Sequence, residues 1–281
     1  LKNAIKYRVT KEVLAIAAGL LLVGCRTAPP MQAGWFSVGQ DASPLLSSER
    51  SELCRTPDGY PLQKIMQETD SILQAVSVWL GEEKPRSAVK LLVYSPDEPM
   101  GREILRLKKS RRAAGLFRPD LNSIVLAGDP RDPRFWTVLR HEAAHYSLQR
   151  CLRETPPFWL DEGVSCLFES GADENLRPEK SSEREALACH LAKKRGGFNL
   201  KNTLSSPHPA YQDGRAYAEA WAVVSYLYRN HRQATAALVH SQTPLAPFPI
   251  QYFSDDSSMS SFKAFERQLT EFILKDCNAA R

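Results

Sequence analysis

The sequence has no internal period, no large excess of charge, no cysteine pair at zinc-finger or zinc-ribbon spacing, and no second apolar run after residue 24 long enough to cross a bilayer. Each absence removes a class of protein. Without a period there is no solenoid or propeller. The formal net charge of +5 shrinks further, because Lys2, Lys6, Arg8, Lys11 and Glu12 contribute +3 and leave +2 for the rest. A balance that small, with no basic-and-aromatic stripe, gives no reason to expect a nucleic-acid partner. The cysteine spacing argues against a metal held by thiolates. What is present is ordinary for a globular chain: 43% apolar and 25% charged residues. The length of 281 residues suits one large domain or two closely packed lobes.

The first residues are basic, and an apolar run from Val13 to Val23 follows, broken only by Gly19. That run has the length of a signal-peptide core and is short for a membrane span. It ends in Leu22-Val23-Gly24-Cys25, which resembles the bacterial lipobox, in which the cysteine becomes the lipidated first residue of the mature protein. Acyl chains on Cys25 would anchor the protein, since each buried methylene adds roughly 0.8 kcal/mol. An uncleaved anchor helix and a plain secretory signal are the other readings of the same run. All three place the remainder outside the cytoplasm, and the lipobox places it in the bacterial cell envelope. The expected organisation is therefore a signal peptide over 1–24, a tether over 25–58 that lifts the rest off the membrane, and one folded domain over 59–281.

Of the six cysteines, five remain if Cys25 carries lipid, so an odd thiol is left over. Cys166 lies among Val164, Leu167 and Phe168 and is expected to be that free, buried thiol. Disulfides among Cys54, Cys151, Cys189 and Cys277 are compatible with the compartment, but their pairing is not readable from spacing.

Ile65, Met66, Ile72, Leu73, Val76, Trp79 and Leu80 recur at steps of three and four, which predicts an amphipathic helix over 61–80 stopped by Gly81. Residues 87–94 read as a strand closed by Pro96 and Pro99, and 100–110 as a short helix. Residues 113–127 read as two strands around a turn at 118–122. After the loop Asp129-Pro130-Arg131-Asp132-Pro133, a helix is expected from Arg134 through Cys151 and another after Pro156-Pro157. Further helices are expected at 182–195, 215–230, 231–241 and 260–276. The class this order predicts is α+β, with a small mixed-sheet N-terminal lobe and a mainly helical C-terminal lobe.

The string His141-Glu142-Ala143-Ala144-His145 fits the pattern H-E-x-x-H. Histidines four apart on a helix project from one face, so both rings can reach one ion. Glu142 sits to the side, where its carboxylate can contact water without ligating. Phe135, Val138, Leu139, Ala143 and Leu148 supply the apolar side of that helix independently of the motif. A chance match in a chain of this length is on the order of one in a hundred. A catalytic zinc needs a third protein ligand, and the candidates in the helical segment after Pro157 are Asp161, Glu162 and Glu169.

The segment Trp159-Leu160-Asp161-Glu162-Gly163 resembles the gluzincin peptidases, in which an apolar Trp-Leu pair precedes Glu-Gly and that Glu is the third zinc ligand. The resemblance implies a zincin-like fold, one Zn2+ per chain held by His141, His145 and Glu162, and Glu142 as the general base of peptide-bond hydrolysis. Glu169, two turns beyond Glu162, suits a supporting contact or a salt bridge. Gly163 would let two helices pack closely. Gluzincins often stabilise the oxyanion with a Tyr or His from the later helical lobe. The stretch Gly214-Arg215-Ala216-Tyr217 is similar to that Tyr-bearing helix, which makes Tyr217 the candidate ahead of Tyr211 and His208; a merely packed helix aromatic is the bland alternative. The resemblance further implies that the strand near Ile124 to Ala127 is the sheet edge to which a peptide substrate adds.

The likeness covers roughly residues 60–275, and its specific motifs about 30 residues. Ser165 stands where many relatives have Ala. A Gly-x-Met-Glu-Asn exopeptidase signature is missing, which turns the expectation towards an endopeptidase. Two other readings keep the same metal: a catalytically silent binding or scaffold lipoprotein, and a zinc amidase acting on cell-wall peptides. Glu142 argues against the first, since a purely structural site needs no general base. His190, His208, His231 and His240 have no partner at ligand spacing and are expected at the surface or in capping roles.

Overall fold

The computed structural model describes residues 46–82, 88–152, 155–194, 197–205, 214–241 and 262–279. The expectations for the targeting segment, Cys25 and its lipid anchor, the first part of the tether, Tyr211 and His208 lie outside the described residues. Two short strands come first, β1 (Leu46–Ser47) and β2 (Ser51–Arg55). They are followed by α1 (Leu62–Leu80), β3 (Val89–Tyr94), α2 (Pro99–Leu107), β4 (Ala113–Arg118), β5 (Ser123–Gly128) and α3 (Pro133–Cys151). The remaining described elements are helical: α4 (Phe158–Phe168), α5 (Ser182–Lys193), α6 (Leu200–Ser205), α7 (Gly214–Asn230), α8 (Arg232–His240) and α9 (Phe262–Ala279). The class is α+β, with the sheet in the N-terminal half and helices after it. Among the described residues no helix is long and apolar enough to cross a membrane.

The sheet runs β1-β2-β3-β5-β4. The pairs β2–β3 and β3–β5 are parallel, whereas β1–β2 and β4–β5 are antiparallel. Its central strands are apolar on both faces. Val89, Leu91 and Val93 of β3 and Ile124 and Leu126 of β5 join the core formed with α1 and α3. Leu92, Tyr94, Val125 and Ala127 point the other way, onto Ile104 and Leu105 of α2. A strand covered on both faces must read as a nearly continuous apolar run, and these two do.

Local chemistry explains the boundaries. Gly81 takes a left-handed conformation (φ 78°) and its N–H closes the last turn of α1, a Gly stop of the usual kind. The α3 helix starts with Asp132 capping the Arg134 N–H and Pro133 at its first position, where a missing N–H costs nothing. Pro99, read from sequence as closing β3, instead opens α2 in the same way. His240 donates from Nε2 to the Leu80 carbonyl at 2.6 Å, a capping role at the end of α1. His190 is exposed.

Three expectations change. The tether does not extend to residue 58, because β2 lies inside the sheet and its Leu53 is fully buried. The strand is disguised by Ser51, which is buried yet satisfied by donating to Asp70 Oδ1 at 2.6 Å. The strand near Ile124 to Ala127 is not an edge, because β5 inserts between β3 and β4 and leaves β4 outermost. Gly163 does allow a close helix approach, but the partner that needs it is α7: a Cβ there would sit 2.4 Å from Val224 Cγ2 and 2.6 Å from the Ala220 carbonyl oxygen.

Cys189 of α5 and Cys277 of α9 form a disulfide spanning 88 residues of sequence. Closing a loop of that size stabilises by about 4–5 kcal/mol in the chain-entropy account. Cys166 is free and buried as expected, Cys54 is too, and Cys151 is buried.

Candidate metal centre

Helix α3 packs against both α4 and β4, and the motif residues lie between α3 and α4. Arg140, just before the motif, fixes the register of α3. Its guanidinium binds Glu68 of α1 at 2.8 Å and the Ser170 carbonyl at 3.0 Å, beyond the end of α4. His141 and His145 are one turn apart, with ring centroids 4.7 Å from each other, and both are 3% exposed.

Their Nε2 atoms converge with one oxygen of Glu162. The three edges are 3.1 Å between the two Nε2 atoms, 3.3 Å from His141 Nε2 to Glu162 Oε2, and 3.6 Å from His145 Nε2 to the same oxygen. A tetrahedral ion bonded at about 2.0–2.1 Å to each donor requires donor–donor edges of roughly 3.3–3.4 Å. The observed triangle has that size. The buried trio His141, His145 and Glu162 can hold a metal ion.

The tautomers support the same conclusion. His145 Nδ1 lies 2.6 Å from Asp161 Oδ1. An ionised carboxylate only accepts, so that nitrogen carries the proton. His141 Nδ1 faces Glu169 Oε2 at 3.5 Å, at the limit of hydrogen-bond reach. Both Nε2 atoms therefore turn to one point shared with Glu162 Oε2, a buried oxygen that the two imidazoles approach and that has no well-formed hydrogen bond among the described residues. Two imidazole nitrogens and a carboxylate oxygen meeting at one buried point call for positive charge there, as a proton on one ring or as a bound cation. Burial pushes the Glu162 carboxyl up, but positive charge on His145 and His141 outweighs it and holds the group below its ordinary value.

The three competing carboxylates are thus sorted by position. Glu162 belongs to the triangle. Asp161, its neighbour, orients His145 from behind. Glu169 does the same for His141 and is gripped by Arg184 through both oxygens, at 2.7 and 3.1 Å. Burial pushes Glu169 up, but Arg184 and His141 hold it below the usual carboxylate range. A second buried group, His141 with Cys166 and Glu169, also has metal-compatible spacing. It is a poor site, because Arg184 occupies both Glu169 oxygens and burial pushes the Cys166 thiol up, away from the thiolate that a metal needs.

Glu142, the residue after His141 on α3, is fully buried. Its Oε2 accepts the Phe117 N–H of β4 at 2.8 Å, while Oε1 has no hydrogen-bond partner among the described residues. Gly115, two residues earlier on β4, makes room for it: a Cβ there would lie 2.5 Å from Glu142 Cγ and 2.9 Å from Oε1. Peptide groups alternate sides along an antiparallel strand. Since the Phe117 N–H points to Glu142, the peptide groups of Phe117 and Gly115 lie on the side of β4 away from β5.

Tyr217, on α7, is 2% exposed, and its hydroxyl reaches Glu162 Oε1 at 3.4 Å. Phe158 packs edge-on against its ring with centroids 5.5 Å apart. The residue chosen from sequence therefore comes into the site. Sequence reasoning missed Arg184 and Gly115, and it left Asp161 as a rival ligand rather than a support. An Asp adjoining the ligand Glu was the only available signal for the last of these. Comparison with protein-family models and with curated proteins finds no match for this chain.

Proposed function

We propose that this chain is a zinc-dependent peptidase of the gluzincin type, with a zincin-like fold, acting as an endopeptidase from a lipid anchor at Cys25 on the extracytoplasmic face of a bacterial envelope. The observation that carries the reading is the triangle of two Nε2 atoms and Glu162 Oε2, with edges of 3.1, 3.3 and 3.6 Å, set beside a carboxylate with one uncommitted buried oxygen. His141, His145 and Glu162 would hold the ion. When bound, zinc supplies Lewis acidity towards both water and a peptide carbonyl.

The rest is done by side chains and backbone. Glu142 receives the proton of the attacking water on Oε1 while the Phe117 N–H holds Oε2, then passes that proton to the leaving amine. Tyr217 offers its hydroxyl to the oxyanion. An extended substrate pairs with the outward N–H and C=O of Gly115 and the C=O of Phe117 on the edge strand β4, as peptides add to open sheet edges. Asp161 and Glu169 keep the imidazoles turned the right way.

Two measurements test this. Purified protein is expected to cleave members of a broad peptide library, to stop when metal is removed by a chelator, and to recover on addition of Zn2+. Cleavage that ignores chelation contradicts the metal reading, and no cleavage at all under any loading supports the silent-scaffold alternative. Gly115→Ala pushes a methyl group into Glu142, and a misplacement of about 1 Å costs on the order of 100-fold in rate. Its turnover is expected to fall by that factor with metal content unchanged, and steady-state kinetics beside elemental analysis would check it. Wild-type turnover in Gly115→Ala would show that Glu142 does not depend on this close approach.

A further inference from the structure

Arg184 lies near the start of α5, outside every motif in the sequence. Its side chain is 12% exposed. One face of the guanidinium grips Glu169 through Nε to Oε1 at 2.7 Å and Nη2 to Oε2 at 3.1 Å. That same Oε2 faces His141 Nδ1 at 3.5 Å. The guanidinium carbon also lies 5.8 Å from the centroid of the Tyr217 ring, within range of a cation–π contact. The Tyr217 hydroxyl in turn reaches Glu162 Oε1 at 3.4 Å. One buried cation therefore connects to two of the three metal donors by separate routes, to His141 through Glu169 and to Glu162 through Tyr217.

We propose that Arg184 is a positioning residue for the metal centre: its two-pronged grip fixes the Glu169 carboxylate against His141, and its charge over the Tyr217 ring holds that ring beside Glu162. The inference rests on the metal reading above and deepens it. A guanidinium fork holds a carboxylate in one plane, which a point-charge ammonium does not. Without that fork Glu169 is free to turn, and His141 loses the partner that orients its ring. The proposal also explains why an arginine is buried here, when removing one partner of a buried ion pair is strongly unfavourable.

The test is a Co2+ titration of the full chain, following visible absorption for geometry and chelator competition for affinity. Arg184→Gln alone leaves the Glu169 charge buried and can fail to fold. Two other variants avoid that: Arg184→Lys keeps the charge and loses the fork, and the double substitution Arg184→Gln with Glu169→Gln removes both charges together. Loss of an outer partner typically weakens metal binding by roughly 10–100-fold. The double variant is expected to show a loss of that size and a changed Co2+ spectrum, with Arg184→Lys between it and wild type. Thermal unfolding of the metal-free proteins serves to separate this from a general loss of fold. Wild-type affinity and spectrum in both variants would overturn the role for Arg184 while leaving the metal centre standing. Failure of the wild type to take up Co2+ would overturn the metal reading and this inference with it.

Discussion

Glu142→Gln is expected to abolish peptide cleavage while leaving metal binding intact. The substitution keeps the shape of the side chain, and its amide oxygen can still accept the Phe117 N–H now held by Oε2 at 2.8 Å. What disappears is the base on the other oxygen, which is buried and has no hydrogen-bond partner among the described residues. A positioned general base contributes roughly 100- to 10,000-fold, so turnover should fall by at least the lower figure. Metal affinity should not change, because neither oxygen of Glu142 belongs to the donor triangle. Nor should stability fall, because a neutral amide is less costly to bury than a carboxylate with one unsatisfied oxygen. Turnover within tenfold of wild type, measured on the same peptides, would remove Glu142 from the reaction.

Glu162→Ala has the second large effect, on the metal itself. It deletes one corner of the triangle and leaves two imidazoles, which should weaken zinc binding by far more than the roughly 100-fold that loss of an outer partner costs. Asp161→Asn is the matched control. It disturbs the contact to His145 Nδ1 at 2.6 Å but spares every donor, so its loss should stay within the outer-partner range. Chelator competition on the two variants ranks the neighbouring carboxylates directly. A larger loss in Asp161→Asn than in Glu162→Ala would reverse their roles.

These two residues show where the sequence is legible and where it is not. Both lie on a helix announced by Pro156-Pro157 and an apolar run, and the distance from His145 already suggested that the chain returns to the metal. Which of two adjacent acids faces the triangle depends on the rotation of α4 against α3, set by packing between them and against α7 at Gly163. Spacing alone does not encode that rotation; the resemblance carried by Trp159-Leu160 and Glu162-Gly163 is what singled out Glu162. The His141–His145 pair was legible because helix geometry alone puts residues four apart on one face.

Sheet order was hidden for a similar reason. The strands β3, β4 and β5 stand out by apolar runs and turn residues, but the insertion of β5 between the other two is a long-range choice. It moves the open edge from β5 to β4 and brings Gly115 and Phe117 to Glu142. Strand β2 was missed because its inward Ser51 is polar and is satisfied by Asp70 from α1, a partner nineteen residues away. Arg184 was invisible because its role arises from contacts with Glu169 and Tyr217, on two other segments.

The most direct test of the central claim is anomalous diffraction at the zinc absorption edge from crystals of the protein grown with Zn2+. The account requires one strong peak enclosed by His141 Nε2, His145 Nε2 and Glu162 Oε2, at about 2.0–2.2 Å from each. A peak elsewhere, or none with the Glu162 side chain turned away from the two imidazoles, would contradict it.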